Sequence, residues 1–511
     1  VAAPTEDPTT ERTPGGGALP AWVAAAVTFL SSGAVLVLEI VGLRLIAPYV
    51  GVTLQTSTAV IGYALAAIAI GAWSGGVAAD RTDPRRLIAP LMVAGGALVI
   101  AVLPLVRFTG SLLTGPDAGA VLLLAAVAVV VPAALLSAVP PMVVKLQLAS
   151  LDETGAVVGR LSGIGTLGGI AATFVTGFVL IAILPSSVIL VGTGAVTVLV
   201  GLAVAVFLRR TAGGAGRVPA GLLVLAVVGG GLAAVAPTPC ETETGYHCAR
   251  VEADPERETG RVLYLDTARH SYVDLEDPTY LEFAYVRAIA AVTDVLRDEG
   301  EPLSALHVGG GGLTLPRYLA DVRPGTDSLV LEVDPGVVAI DREQLELETS
   351  DRLRVRVVDG RVGLADDDAG SRDLVVGDAF GGLSVPWQLA TREAVELVDR
   401  ALADDGVYAI NLIDHPPLSF VRAELATLRA VFPHVALLAR PATLSGEDGG
   451  NVVAVASRAP IAADALAARL TDLDLDWQVA QGAELDRFVG DAAVLTDDFA
   501  PVDQLLTPYG S

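Results

Sequence analysis

Cysteine, lysine and histidine are all scarce in this 511-residue chain, and each shortage removes a class of chemistry. Two cysteines exclude a disulfide-built scaffold and a four-thiolate metal site. Five histidines are too few and too scattered for a metal motif, since His307, His415 and His434 share no ligand spacing, so no metal is expected. Lys145 is the single lysine against 32 arginines, a matter of composition rather than chemistry. Basic residues as a whole are outnumbered, 33 Lys+Arg against 58 Asp+Glu, and unevenly: residues 1–236 hold 11 and 9 of them, which leaves a net charge of −27 beyond. A domain that negative repels phosphates, which excludes a nucleic-acid partner and favours small cationic ligands. Residues 1–20 hold no apolar run and are expected to form a disordered tail rather than a signal peptide, and the first apolar run is too long for cleavage.

What the chain has in excess is apolar length. Hydrophobic residues make up 52% and mean hydropathy is +0.59, so a bilayer must be part of the solvent. Seven runs fit a hydrocarbon core, at roughly 21–45, 56–78, 87–106, 119–144, 161–184, 188–208 and 218–236, the last being shortest and rich in glycine. With the N-terminus in the cytoplasm, nine basic residues fall in inside segments: Arg12, Arg81, Arg85, Arg86, Lys145, Arg160, Arg209, Arg210 and Arg217. Only Arg44 and Arg107 fall outside, so the basic-loop bias together with seven crossings puts the remaining chain outside the cytoplasm. Cys240 and Cys248 follow the seventh run directly; a disulfide is one reading and a buried thiol pair the other, whereas a metal site beside His247 needs more ligands than the stretch supplies. Glu39 lies deep in the first run, either as a cation or proton site or as a partner of Arg44 or a neighbouring helix. The stretch Gly75 to Arg86 resembles the loop between the second and third helices of major facilitator transporters, but seven helices fall short of their usual twelve.

From Arg250 the pattern changes to short β-rich runs and amphipathic helices. Residues 262–265 and 271–275 form a small β-element, and Tyr280 to Leu296 a helix. Strands are expected at 303–308, 328–333, 354–358, 373–377, 406–412, 434–439 and 451–457, with helices between most of them. That alternation gives a mostly parallel, doubly wound α/β sheet of Rossmann-like, methyltransferase type, with ligand at the carboxyl ends of its strands. The expected organisation is a tail (1–20), a helical transmembrane bundle (21–236), a linker with the small β-element (237–285) and the α/β domain (286–511). At the strand ends stand Gly309-Gly310-Gly311-Gly312, where missing side chains admit a ligand to the backbone, then Glu332-Val333-Asp334, Asp359-Gly360 and Asp378. About twenty residues past the glycines, Glu332 suits the two ribose hydroxyls, and Asp359 suits an exocyclic amine. Any one of these acids also suits a helix cap; their recurrence at successive strand ends favours a nucleoside crevice.

These motifs, with the upstream Asp277-Pro278-Thr279-Tyr280, resemble the spermidine synthases, or polyamine aminopropyltransferases. The helical front with Leu38-Glu39-Ile40-Val41-Gly42-Leu43-Arg44, and the closing Leu495 to Asp503, are similar to bacterial proteins that fuse such a domain to membrane helices. The resemblance implies a transferase that moves an aminopropyl group from decarboxylated S-adenosylmethionine, a co-substrate rather than a resident cofactor, to a diamine such as putrescine. It implies Asp378 as base, Tyr280 as its hydrogen-bonding companion, Glu332 as ribose ligand and Asp359 as adenine ligand, with Gly309, Gly310, Gly311 and His270 near the donor. The partners it leaves are a cationic substrate, the bilayer and a second copy of the chain. The sequence also departs from the family. Gly312 stands where an acid usually meets the aminopropyl amine, Leu281 replaces a glutamine, and no second acid follows Asp378 through Pro386. Loss of a cation's partner changes the substrate, so methyl transfer or lyase chemistry with S-adenosylmethionine stays open, as does a polyamine sensor or transport accessory without turnover. A domain outside the cytoplasm would also lie apart from the intracellular supply of the sulfonium donor.

Overall fold

The computed structural model describes residues 19–507 apart from 52, 114–117, 149–152, 213–216 and 383, so nearly all of the expected tail lies outside the described residues. The chain divides into two compact units, the first of Val1–Val50 and Gln55–Thr238, the second of Pro239–Ser511 with the short segment Gly51–Leu54.

Six helices of the first unit are long and apolar enough to cross a membrane: α1 (Ala21–Val50), α2 (Leu54–Arg81), α3 (Pro84–Gly110), α4 (Ala118–Gln147), α5 (Thr154–Ile183) and α6 (Ser186–Thr211). The seventh, α7 (Ala220–Val235), has 16 residues. At 1.5 Å per residue it spans about 24 Å, less than a hydrocarbon core of about 30 Å. Small residues let these helices touch backbone to backbone. A Cβ on Gly168 of α5 would collide with the carbonyl of Phe29 on α1, and one on Gly229 of α7 would lie 3.3 Å from Ala101 on α3. Arg107, in the last turn of α3, donates to the carbonyl of Ala233 at 3.1 Å. Later residues of α7 thus meet later residues of α3, and the two helices run in the same direction. Arg44 donates to the Ser186 hydroxyl at 3.2 Å. Glu39 is half-buried and, among the described residues, forms no salt bridge with Arg44.

The second unit opens with an antiparallel sheet of β1 (Thr242–Glu243), β2 (Cys248–Asp254), β3 (Arg257–Leu265) and β4 (Ala268–Asp274), larger than the expected β-element. Cys240 and Cys248 are joined by a disulfide, so of the two readings the bridge holds. The main sheet follows with β5 (Ser304–Val308), β6 (Asp327–Glu332), β7 (Leu353–Val357), β8 (Arg372–Gly377), β9 (Leu402–Asp414), β10 (His434–Ala439), β11 (Gly450–Ser457) and β12 (Gln478–Ala480). Its order is β12-β10-β11-β9-β8-β5-β6-β7. The five strands from β9 to β7 are parallel, and β11, β10 and β12 join antiparallel. All seven expected strands form. The eighth, β12, was not expected because three residues carry no usable alternation.

Period-two alternation splits the core between the two faces of the sheet. Leu306 and Val308 of β5 pack with Val395, Phe420 and Leu428 on one side, while Ala305 packs with Ile289, Leu319 and Leu466 on the other. His307 shares the second face and burial pushes it down to about 3, which makes it a packing residue. Chain direction through the sheet reverses between β5 and β8, and a crevice opens at such a switch point.

Residues 239–511 are expected to express as a soluble, cooperatively unfolding fragment. Phe420 is fully buried, so Phe420→Ala should lower its stability by about 3–5 kcal/mol in urea unfolding. An aggregated fragment, or no shift in midpoint, would contradict the core described.

Candidate functional site at the strand ends

Because β8, β5, β6 and β7 are neighbours in that order, the residues following them line one crevice. After β5 the chain turns through Gly309 (φ +100°) and Gly311 (φ +48°), backbone angles that favour glycine. A Cβ on Gly309 would collide with the carbonyl of Asp378, so the loops after β5 and β8 touch there. Gly310 N–H donates to Glu332 Oε2 at 2.9 Å, and Asp334 N–H to Glu332 Oε1 at 2.8 Å. Glu332 at the end of β6 therefore ties the glycine turn to its own loop.

Its neighbour Asp334 is wholly buried and structural. It accepts from Gly336 N–H at 2.8 Å as cap of the helix Pro335–Gln344 and from the Thr244 hydroxyl. Asp359 also caps a helix, Gly360–Asp366, with Oδ1 accepting from Arg361 at 2.9 Å and Val362 at 3.1 Å. That cap uses one carboxylate oxygen; the second has no protein partner among the described residues. His270 lies against the glycine turn, since a Cβ on Gly311 would sit 3.0 Å from its Nδ1. Burial, with a smaller push from the nearby His247, lowers His270 to about 4, so it is neutral at pH 7. His247 is held above its ordinary value; burial opposes this, but the Asp266 carboxylate at 2.8 Å together with the charges of Asp334 and Glu332 outweighs it.

Asp378 follows β8 directly. Its Oδ2 accepts from the Tyr285 hydroxyl at 3.1 Å and its Oδ1 from Asn411 Nδ2 at 2.8 Å. Asn451 donates to Asn411 Oδ1 at 3.0 Å, which fixes the amide with its NH₂ toward Asp378. Burial pushes Asp378 up to about 6, and the two hydrogen bonds pull the other way.

The hydrogen-bonding companion of Asp378 is thus Tyr285 rather than Tyr280, which corrects the sequence expectation. Tyr280 donates to Glu282 Oε2 at 2.8 Å, and its ring lies 3.9 Å from the Arg257 guanidinium and 5.6 Å from the Tyr272 ring. The physical reason is a helix that starts later than expected. It spans Ala284–Leu296, which leaves Tyr280 in the preceding loop and puts Tyr285 in the first turn. Asn411 was missed altogether. Gly377 pairs with Ile410 across β8 and β9, so the next residue on each strand is Asp378 and Asn411, and a lone amide in the apolar run of β9 was the available signal.

The departures from the family also have structural form. A Cβ on Gly312 would lie 2.8 Å from Val273 Cγ2 and 3.1 Å from Ser271 Cβ, so β4 already fills the space an acid there would need. Leu281 follows Tyr280, which is not the companion of Asp378, and packs against the core cluster on its face of the sheet; the residue after Tyr285 is Val286. Asp497 receives a bidentate pair from Arg361 at 2.7 and 2.6 Å, which ties down the closing segment.

No family model matches the chain. A polyamine aminopropyltransferase of Chromobacterium violaceum is 31% identical over 168 residues, 32% of this chain and 63% of its own length; one of Vibrio vulnificus is 31% identical over 52% of its length. The chain thus spans between half and two thirds of these curated relatives. The crystal structure of a probable spermidine synthase from Corynebacterium glutamicum is 30% identical, with 50% of this chain covering 95% of that one at a TM-score of 0.48. The human eEF1A lysine and N-terminal methyltransferase is 28% identical over 172 residues, 24% of its length.

The pinning of Asp378 has a titration signature. An acid whose folded value of about 6 exceeds the ordinary 3.8 holds its proton more tightly when folded. Its contribution to stability is fully present below the ordinary value and is lost as pH rises toward 6. The ¹³C carboxyl resonance of Asp378 should titrate near 6. Tyr285→Phe and Asn411→Leu should each move it higher, because each removes a donor that favours the carboxylate. A downward move in either variant would refute the cradle.

Proposed function

We propose that this chain, whose C-terminal unit belongs to the spermidine synthase family, is a membrane-anchored transferase of the aminopropyltransferase type acting on a cationic amine. The observation that carries the reading is the Asp378 carboxylate, held by Tyr285 and Asn411 at the switch point against the glycine turn. In this reading Glu332 accepts from the ribose hydroxyls, the second oxygen of Asp359 from the adenine amine, and Gly309, Gly310 and Gly311 admit the nucleoside to the backbone beside His270. Asp378 takes the proton of the attacking nitrogen, whose lone pair bonds to the carbon next to the sulfonium. The carbon–sulfur bond breaks, its electron pair neutralises sulfur, and methylthioadenosine leaves. Positioning and deprotonation suffice for this step, without a covalent intermediate.

One observation favours a second reading. Val273 and Ser271 fill the space beside Gly312, so this site has no acid there for the amine of a decarboxylated donor. S-adenosylmethionine itself, with methyl transfer, is the alternative. The fragment 239–511 incubated with decarboxylated S-adenosylmethionine and a set of diamines should release methylthioadenosine. S-adenosylhomocysteine from S-adenosylmethionine would instead establish methyl transfer, and no product from either donor would leave a binding protein. Asp378→Asn should cut turnover roughly a hundred-fold with nucleoside binding kept, since it removes the base and keeps the shape.

We infer that the second unit lies outside the cytoplasm, a reading that two observations support. The basic-loop bias is one, and the shared direction of α3 and α7 is the other, because helices separated by an even number of crossings run the same way. The disulfide of Cys240 and Cys248 accords with an oxidising compartment. An impermeant thiol reagent should label intact cells only after reductant. Labelling that requires lysis would put the unit in the cytoplasm, beside the ordinary supply of donor.

A further inference from the structure

Two charged side chains near the crevice, Arg269 of β4 and Glu282 in the loop before the helix Ala284–Leu296, are only loosely paired. Arg269 Nη2 and Glu282 Oε1 stand 3.9 Å apart, too far for a hydrogen bond, and the side chains are 50% and 33% exposed. Arg269 donates no hydrogen bond among the described residues. Glu282 accepts one on Oε2, from the Tyr280 hydroxyl at 2.8 Å, which leaves Oε1 facing Arg269. Their charged neighbours are tightly held by contrast. Arg257 is bound by Asp274 and by Asp277 at 3.0 Å, and Asp254 accepts from the Tyr272 hydroxyl at 2.8 Å and Glu256 N–H at 2.9 Å.

A pair of aromatic rings leads from Asp378 to this pair. Tyr285, whose hydroxyl donates to Asp378, stacks with Phe283 at 5.9 Å between ring centroids, and the Arg269 guanidinium lies 5.5 Å from the Phe283 ring. Arg269 also directly precedes His270, which lies against the glycine turn. Asp378, Phe283, Glu282 and Arg269 are all at least partly exposed, so each is reached from solvent. The order is therefore a proton acceptor, an apolar aromatic stretch, and then a guanidinium beside a carboxylate.

Unused N–H groups on one side chain and an unused carboxylate oxygen on the other complement an α-amino-acid head, whose carboxylate and ammonium share one carbon. The second ammonium of a simple diamine would gain Glu282 but also meet the like charge of Arg269. We propose that Arg269 and Glu282 select a basic amino acid of the ornithine or lysine type as acceptor. Its α-carboxylate meets Arg269, its α-ammonium meets Glu282, its methylenes lie along Phe283 and Tyr285, and its side-chain amine reaches Asp378. This inference rests on the reading of Asp378 as the base of a transferase and narrows the acceptor. The step itself is unchanged: the side-chain nitrogen bonds to the carbon next to the sulfonium, the carbon–sulfur bond breaks with its electron pair on sulfur, and Asp378 takes the proton.

The full chain in nanodiscs, supplied with decarboxylated S-adenosylmethionine, is offered lysine and ornithine beside their decarboxylated counterparts cadaverine and putrescine, with methylthioadenosine release as the readout. With S-adenosylmethionine as donor, the same ranking is read in S-adenosylhomocysteine. Each amino acid should exceed its diamine in kcat/KM by roughly ten-fold, the worth of one charge-assisted hydrogen bond, and lysine methyl ester should lose that advantage. Arg269→Gln should lower kcat/KM for lysine roughly ten-fold through KM, while that for cadaverine rises because the repelling cation is gone. Opposite shifts in one variant do not arise from misfolding. Diamines preferred by the wild type, or a preference that Arg269→Gln leaves unchanged, would overturn the proposal and leave the transferase standing. No product with any acceptor would overturn both.

Discussion

A carboxylate taken out of water must be met by donors or give up its charge, and the second unit is arranged around one such group. Asp378 stands where the order of the sheet reverses, between the tyrosine of one helix and an amide that a second amide holds in place. The two hydrogen bonds are too few to offset burial fully, so the group titrates near 6. That balance is what a proton acceptor needs: charged at neutral pH, yet basic enough to take a proton from an amine. A more exposed aspartate would be a weaker base, and an unpartnered buried one would stay protonated.

The rest of the crevice is held by the same economy of polar groups. Glu332 accepts from both the glycine turn and its own loop, and Asp334 joins the small antiparallel sheet to the main one through Thr244. The disulfide closes the loop that carries Thr244 and His247, and Thr244 is the residue that bonds Asp334. The space beside Gly312 is occupied by Val273 and Ser271 of β4, which leaves no room for an acidic side chain at that position.

Much of this was legible in the sequence because strand-end residues and alternation are local signals. All seven expected strands form, and Glu332, Asp359 and Asp378 stand at the ends of β6, β7 and β8. What sequence reading could not reach is what depends on register between distant segments. Tyr280 and Tyr285 are both tyrosines near a helix start, and only the true first turn at Ala284 decides which phenol reaches Asp378. Asn411 becomes visible only when β9 is laid against β8. Asp359 shows that a cap and a ligand contact are compatible, because capping uses a single oxygen. In the helical unit, run length located the helices, while the close contacts of Gly168 with Phe29 and of Gly229 with Ala101 depend on packing that hydropathy does not record.

The central claim is that the strand ends form a nucleoside crevice in which Glu332 binds and Asp378 reacts. Calorimetric titration of the fragment 239–511 with methylthioadenosine tests it most directly. The account requires saturable binding that Glu332→Ala weakens by roughly a hundred-fold, the worth of two hydrogen bonds to a charged acceptor. Binding that Glu332→Ala leaves unchanged, or no binding by the wild-type fragment, would contradict it.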